Sequence, residues 1–237
     1  MNLLIIDTET TGFDPEKDTI IEIAAALFSV EHKQIVTQVS ALIQRSAGSA
    51  LIQRSAGNLT DPISRLTGIT SGLLGGYTAE ESTLRLIDDL IDASSFFVAF
   101  NSDFDESFLS EFDEGFKDSL NWLDAQDIRY PNSDIVNGKS LTALAIAHGI
   151  PVVNAHRALA DVQLLAQLLA KVEDLPGEIK RAARPKVLVI SQESYPGTES
   201  KKAGFIWNGI VEGRWAKRMP DEDRAELPFE TFVMEGL

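Results

Sequence analysis

The sequence predicts an α/β fold: a mixed central sheet flanked by helices, followed by a small C-terminal β-hairpin unit. Three observations predict it. Short, almost purely aliphatic or aromatic runs (Leu3–Ile6, Ile20–Phe28, Phe96–Phe100) have the length and composition of buried strands. Stretches with helical spacing lie between and after them, several opened by capping residues or closed by glycine and proline. Near the C-terminus, Asn208-Gly209 stands between two tryptophan-containing segments, a strong hairpin signal.

The first strand organises the chain. Leu3-Leu4-Ile5-Ile6 ends abruptly in Asp7-Thr8-Glu9-Thr10-Thr11-Gly12. Residues i and i+2 of a strand share a face, so Asp7 and Glu9 project side by side, about 7 Å apart by strand rise. Two like charges at the end of an apolar strand repel, and each resists desolvation. A hard cation such as Mg²⁺ or Mn²⁺ between them removes the problem. The plainer reading of the same residues is a polar strand end running into a Thr/Gly turn.

Phe13-Asp14-Pro15 makes a turn. Ile20–Phe28 and Gln34–Ile43 follow as strands two and three of an antiparallel meander. Ala41–Gly48 (ALIQRSAG) then recurs letter for letter at Ala50–Gly57. Two copies at a short period do not make a solenoid; one copy is expected to finish the third strand and the other to bulge as a loop. Asp61-Pro62 opens a short helical turn, with Asp61 as N-cap. Gly68–Gly76 reads as a glycine-rich loop, and it lacks the lysine of a phosphate-cradling loop. Thr78-Ala79-Glu80-Glu81 is a capping box for a helix to about Ala93.

After the Phe96–Phe100 strand comes Asn101-Ser102-Asp103-Phe104-Asp105, entering a helix through Phe112. Asp105 falls in its first turn. There it serves either as an ordinary helix-dipole partner or as a third acid at the mouth of the same sheet. Trp122–Ile128 is expected to cross back over the sheet. Ser140–His148 is a helix stopped by Gly149 and Pro151, with His148 a dipole partner in its last turn. His156-Arg157-Ala158-Leu159-Ala160-Asp161 opens a helix to about Val172. Asp161 lies among core-facing leucines and needs a partner there. His156 is either ordinary surface or, beside an acidic metal site, a functional imidazole.

Residues 179–186, with four basic side chains, read as a basic linker between a domain at 1–178 and a small unit at 187–237. In that unit five basic residues and one acid lie between Lys201 and Arg218, and Trp207 and Trp215 lie among them. Such a pattern suits stacking on single-stranded bases or simply supplies the core of a small hairpin. The tail from Asp221 is acidic and expected to pack loosely.

Composition bounds the function. The 237 residues are 44% hydrophobic, enough for a real core. There is no cysteine, which excludes disulfides and thiolate metal sites. No apolar run approaches the roughly 20 residues that span a bilayer, and strand one begins at once, so a cytoplasmic location without membrane attachment is expected. The net charge of −15 argues against broad wrapping of a polyanion. It leaves room for an acidic cleft that handles phosphate through cations.

Taken together, DTETTG at Asp7–Gly12, NSDFD at Asn101–Asp105 and HRALAD at His156–Asp161 resemble the three motifs of the DnaQ-like (DEDDh) 3′→5′ exonucleases, which include the epsilon proofreading subunit of bacterial DNA polymerase III. The resemblance covers roughly residues 1–173. Phe100 stands where many relatives carry a histidine, and the ALIQRSAG duplication enlarges a loop.

The resemblance implies a ribonuclease H-like fold and a two-metal-ion (Mg²⁺ or Mn²⁺) nuclease releasing nucleoside 5′-monophosphates from a 3′ end. Asp7 would bridge both ions, Glu9 and Asp161 would complete one, and Asp105 would hold the second, largely through water. His156 would be the general base, with Thr10 and Asn101 contacting substrate. The implied partner is a single-stranded or frayed 3′ end, DNA rather than RNA, with a polymerase complex as a further possibility. Alternatives of the same fold are an RNA 3′-end trimming enzyme and a non-catalytic nucleic-acid-binding scaffold.

Overall fold

The larger unit is built on β1 (Asn2–Thr10), the middle strand of a five-stranded sheet in a computed structural model of the chain. The structure describes residues 1–44, 59–76, 80–112, 116, 121–131 and 140–234. These form two compact units, Met1–Ala182 and Ala183–Leu237.

On one side β1 pairs antiparallel with β2 (Ile20–Ser29), which pairs antiparallel with β3 (Gln34–Leu42). On the other it pairs parallel with β4 (Phe96–Ala99), which pairs parallel with β5 (Asn121–Asp124). The sheet is therefore mixed, and the meander is present. Strand β5 takes the place of the expected crossover: the sheet continues through Trp122, which stacks on Phe97 at 4.7 Å. Only after Asp124 does the chain turn, with Asp124 capping a 3₁₀ turn at Ala125–Asp127.

Alternation along β1 divides the core in two. Leu3 and Ile5 face Val162, Leu165, Leu168 and Leu169 of α6 (Ala158–Lys171). Leu4 and Ile6 face the opposite layer, where Ile87 of α3 (Glu80–Asp92) meets Phe108 and Leu109 of α4 (Ser102–Phe112). β2 is buried along its whole length because helices cover both of its faces.

Four local expectations change. Thr60, not Asp61, is the N-cap of α1 (Asp61–Thr67), so the acid sits inside the first turn. The glycine-rich segment contains a short helix, α2 (Ser71–Gly75), because Thr70 caps it by accepting from the Leu73 N–H at 3.3 Å. Helix α7 (Leu175–Ala182) runs into the segment read as a linker, since Ile179 and Ala182 bury its inner face, and α5 (Leu141–Ala147) precedes α6 as expected. The acidic tail supplies a strand, described below. The second ALIQRSAG copy and the Thr78-Ala79 part of the capping box lie outside the described residues; the first copy begins inside β3.

The smaller unit is a four-stranded sheet in the order β7-β8-β6-β9. Its strands are β6 (Val187–Ser191), β7 (Ile206–Trp207), β8 (Trp215–Met219) and β9 (Thr231–Val233), with α8 (Thr198–Lys202) before β7. β7 and β8 form the expected hairpin, with Trp207 opposite Trp215. Trp215 is buried with Val189, Phe205 and Met219, so it belongs to the core, and Trp207 packs on it. Tyr195, 67% exposed, lies against Trp207 at 5.4 Å.

Candidate active site

Side-chain alternation places the acids. Asp7 and Glu9 continue the Leu3–Ile5 face of β1, on which α6 packs. Asp161 is in the first turn of α6 and reaches the same point. One carboxylate oxygen from each of Asp7, Glu9 and Asp161 lies within 4.8 Å of the others, a spacing that a divalent cation can bridge. All three are half-buried.

Asp105 arrives from the other side. It lies in the first turn of α4, which packs on the Leu4–Ile6 face. Its carboxylate accepts from the Thr8 N–H at 3.0 Å and the Thr8 hydroxyl at 2.8 Å. Thr8 is the residue between Asp7 and Glu9, so Asp105 is fixed beside the cluster rather than within the three-acid set. It is 3% exposed.

Burial and repulsion from neighbouring acids raise the proton affinity of all four carboxyls. Burial, then Asp105, Asp161 and Glu9, push the Asp7 carboxyl well above its usual range. Burial, then Asp161 and Glu22, raise Glu9 to about 8. Asp105 rises to about 7 by burial, although the two Thr8 hydrogen bonds pull it down. Asp161 is raised by burial and partly relieved by the His156 N–H, which donates to its Oδ2 at 3.3 Å. A group of acids held in this state fits divalent cations with oxygen ligands.

His156 is exposed at the mouth of this pocket, with a left-handed backbone (φ 64°). Thr10 is buried, and its hydroxyl donates to the Gly12 carbonyl at 2.5 Å. The β1–β2 register shifts between Glu9 and Thr10, a bulge that ends the ladder at the site. A Cβ at Gly12 would lie 2.3 Å from the Asp18 carboxylate, which accepts from Thr11 Oγ1 and the Asp14 N–H, so a larger residue there would have to displace that side chain. Asn101 is exposed, with φ 75°, and its N–H donates to Asp124 at 3.0 Å.

Two residues escaped the sequence reading. Phe13 is 88% exposed just beyond Gly12, with its ring edge-on to Phe104 at 6.4 Å. Glu22, opposite Glu9 in the ladder, is 2% exposed and paired with Arg157. A single acid inside a nine-residue apolar run was the available signal for Glu22.

Comparison with known proteins shows the family and the fold. A family model described as Exonuclease (RNase_T) matches residues 4–169, and a domain of unknown function (DUF8626) matches residues 197–233. The 3′-5′ exonuclease DinG of Staphylococcus aureus is 30% identical over 187 residues, covering 73% of this chain and 18% of that protein. The chain thus spans less than a fifth of that curated relative. Escherichia coli exonuclease I in complex with a dT13 oligonucleotide superposes with a TM-score of 0.60 at 18% identity, covering 85% of this chain and 50% of the other. A 3′-exonuclease in a structure of 3′-end-specific recognition of a histone mRNA stem-loop gives 0.61 at 18% identity, covering 97% and 93%. The fold is that of the ribonuclease H-like exonucleases.

Proposed function

Because the chain belongs to the RNase_T exonuclease family, we propose that it is a metal-dependent 3′→5′ exonuclease releasing nucleoside 5′-monophosphates. The observation that carries this reading is the Asp7–Glu9–Asp161 cluster, three carboxylates within 4.8 Å, with Asp105 fixed alongside by Thr8.

Asp7, Glu9 and Asp161 would hold one divalent ion; Asp7 and Asp105 would share a second. Bound there, such ions offset the phosphodiester charge, acidify a water and stabilise the leaving 3′ oxygen. The chain's own residues do the rest. His156, exposed beside Asp161, takes the proton from the attacking water as the general base. Phe13 offers a ring face on which the terminal base stacks. Asn101 and the backbone around Thr10 would contact the terminal nucleotide.

DNA is the proposed substrate. The relatives point both ways, since one neighbour was captured with dT13 and another with a histone mRNA stem-loop. The test is product analysis on 5′-labelled single-stranded DNA and RNA of one sequence with Mg²⁺, Mn²⁺ or chelator. A DNA ladder shortening from the 3′ end, absent with chelator, is expected. Equal or faster RNA trimming would reverse the substrate assignment, and inert chain with both ions would end the enzymatic one.

A further inference from the structure

We infer that Glu22 and Arg157 are a positioning pair that sets the placement of His156 and Asp161 against the Asp7–Glu9 strand end. The inference rests on the exonuclease reading above for its catalytic meaning.

Glu22 lies in β2, directly opposite Glu9, and is 2% exposed. An acid so deeply buried needs several donors. It has them: Arg157 Nε donates to Oε2 at 3.0 Å, Arg157 Nη2 to Oε1 at 2.9 Å, and the Ala158 N–H to Oε2 at 3.1 Å. The Ser40 hydroxyl adds a longer contact to Oε1 at 3.5 Å. The arginine pair is bidentate, the geometry that fixes a guanidinium plane as well as its position. The Ala158 contact ties down a free N–H in the first turn of α6.

The anchored residues bracket the chemistry. Arg157 follows His156 and is the N-cap of α6. Its carbonyl accepts from the Asp161 N–H at 3.0 Å, while the His156 N–H donates back to the Asp161 carboxylate. Asn154 and His156 both hold left-handed backbone, at φ 55° and 64°. Asn and His are among the non-glycine residues that adopt this region most readily, so the loop turns tightly just before α6. The Glu22 carboxylate ties Arg157 and the start of α6 to the strand beside β1. Without it, the imidazole and the Asp161 carboxylate lose their common reference.

The experiment uses the full chain. Arg157→Lys keeps the charge but removes the fork, and the Arg157 side chain is 42% exposed, so the variant is expected to fold. Glu22→Gln is the second variant and keeps one acceptor. The expected result for Arg157→Lys is kcat lower by roughly 10- to 100-fold with KM within about threefold, and Mn²⁺ affinity by titration calorimetry lower by roughly tenfold. Glu22→Gln should show the same pattern. Wild-type kcat and Mn²⁺ affinity in a folded Arg157→Lys protein, with only a lowered melting temperature, would overturn the inference and leave the pair as ordinary stabilisation. If the unmodified chain has no nuclease activity, the exonuclease reading fails separately. The Mn²⁺ affinities then decide the positioning role: weaker in Arg157→Lys upholds it, equal overturns it.

Discussion

Both units bury acidic or hydroxyl groups beside a sheet, and they treat them in opposite ways. In the smaller unit, Ser200 and Ser191 are fully buried, and the Ser200 hydroxyl lies 2.7 Å from Ser191 Oγ. Glu193 accepts from the Ser200 hydroxyl and its N–H, which hold its carboxyl below the usual range. Ser191, Ser200 and Glu193 are each answered by a neighbour. In the larger unit, Asp7, Glu9, Asp105 and Asp161 are all raised, and the acids around them contribute to the rise. A closed polar network stabilises a fold; an open anionic one is a standing demand for something from outside. Those four acids of the larger unit are the ones proposed to hold metal, whereas its buried Glu22 is answered by Arg157 and the Ala158 N–H.

The contrast can be broken at its strongest point first. Asp7→Asn should abolish metal-dependent cleavage while raising the stability of the metal-free protein by on the order of 1 kcal/mol, because a repelled buried charge is removed. Activity assays paired with thermal melts in chelator read both effects, and a lowered melting temperature would mean Asp7 is structural. Next, His156→Ala should reduce kcat by roughly 10²–10⁴-fold with an unchanged fold; full turnover would move the base elsewhere.

The pH dependence sharpens the same comparison. Glu9 is raised from its ordinary value of 4.5 to about 8, so its favourable contribution is complete below pH 4.5 and is lost as pH rises through about 8. The raised Asp7 and Asp105 act in the same direction. Metal-free protein should therefore melt at a lower temperature at pH 8.5 than at pH 6, and saturating Mn²⁺ should flatten or reverse the slope. A melting temperature that rises with pH in chelator would contradict the open-network description. The smallest effect belongs to the closed network: Ser200→Ala should destabilise the smaller unit by about 1–2 kcal/mol and leave the cleavage rate unchanged.

Much of this was legible from residue order. The aliphatic run before Asp7 marked β1, and a carboxylate among the leucines of residues 158–171 marked α6 as the partner face. What pattern reading blurred was depth and side. It placed Asp105 at the mouth of the sheet beside Asp7 and Glu9, but did not show that it gets there from α4 on the opposite layer through hydrogen bonds to Thr8. It passed over Glu22, whose importance lies in being buried opposite Glu9. It took glycines 72 and 75 as loop formers, although a capping threonine keeps them helical, and lysine and arginine near 180 as linker, although Ile179 and Ala182 bury the other face of that helix. Strand β9 was hidden because its three residues stand in an acidic tail and are specified by pairing with β6. Local composition does not encode which distant strand edge is free.

The alternation along β1 has a consequence for how the protein acquires competence. Thr8 separates Asp7 from Glu9, and each of the three reaches its partner only because β1 meets β2 in one register. Sliding β1 by a single position would turn hydroxyl where carboxyl belongs, hand the acids to the α4 layer and bury them unpaired. On the proposed reading, correct strand alignment and catalytic competence arrive in the same step.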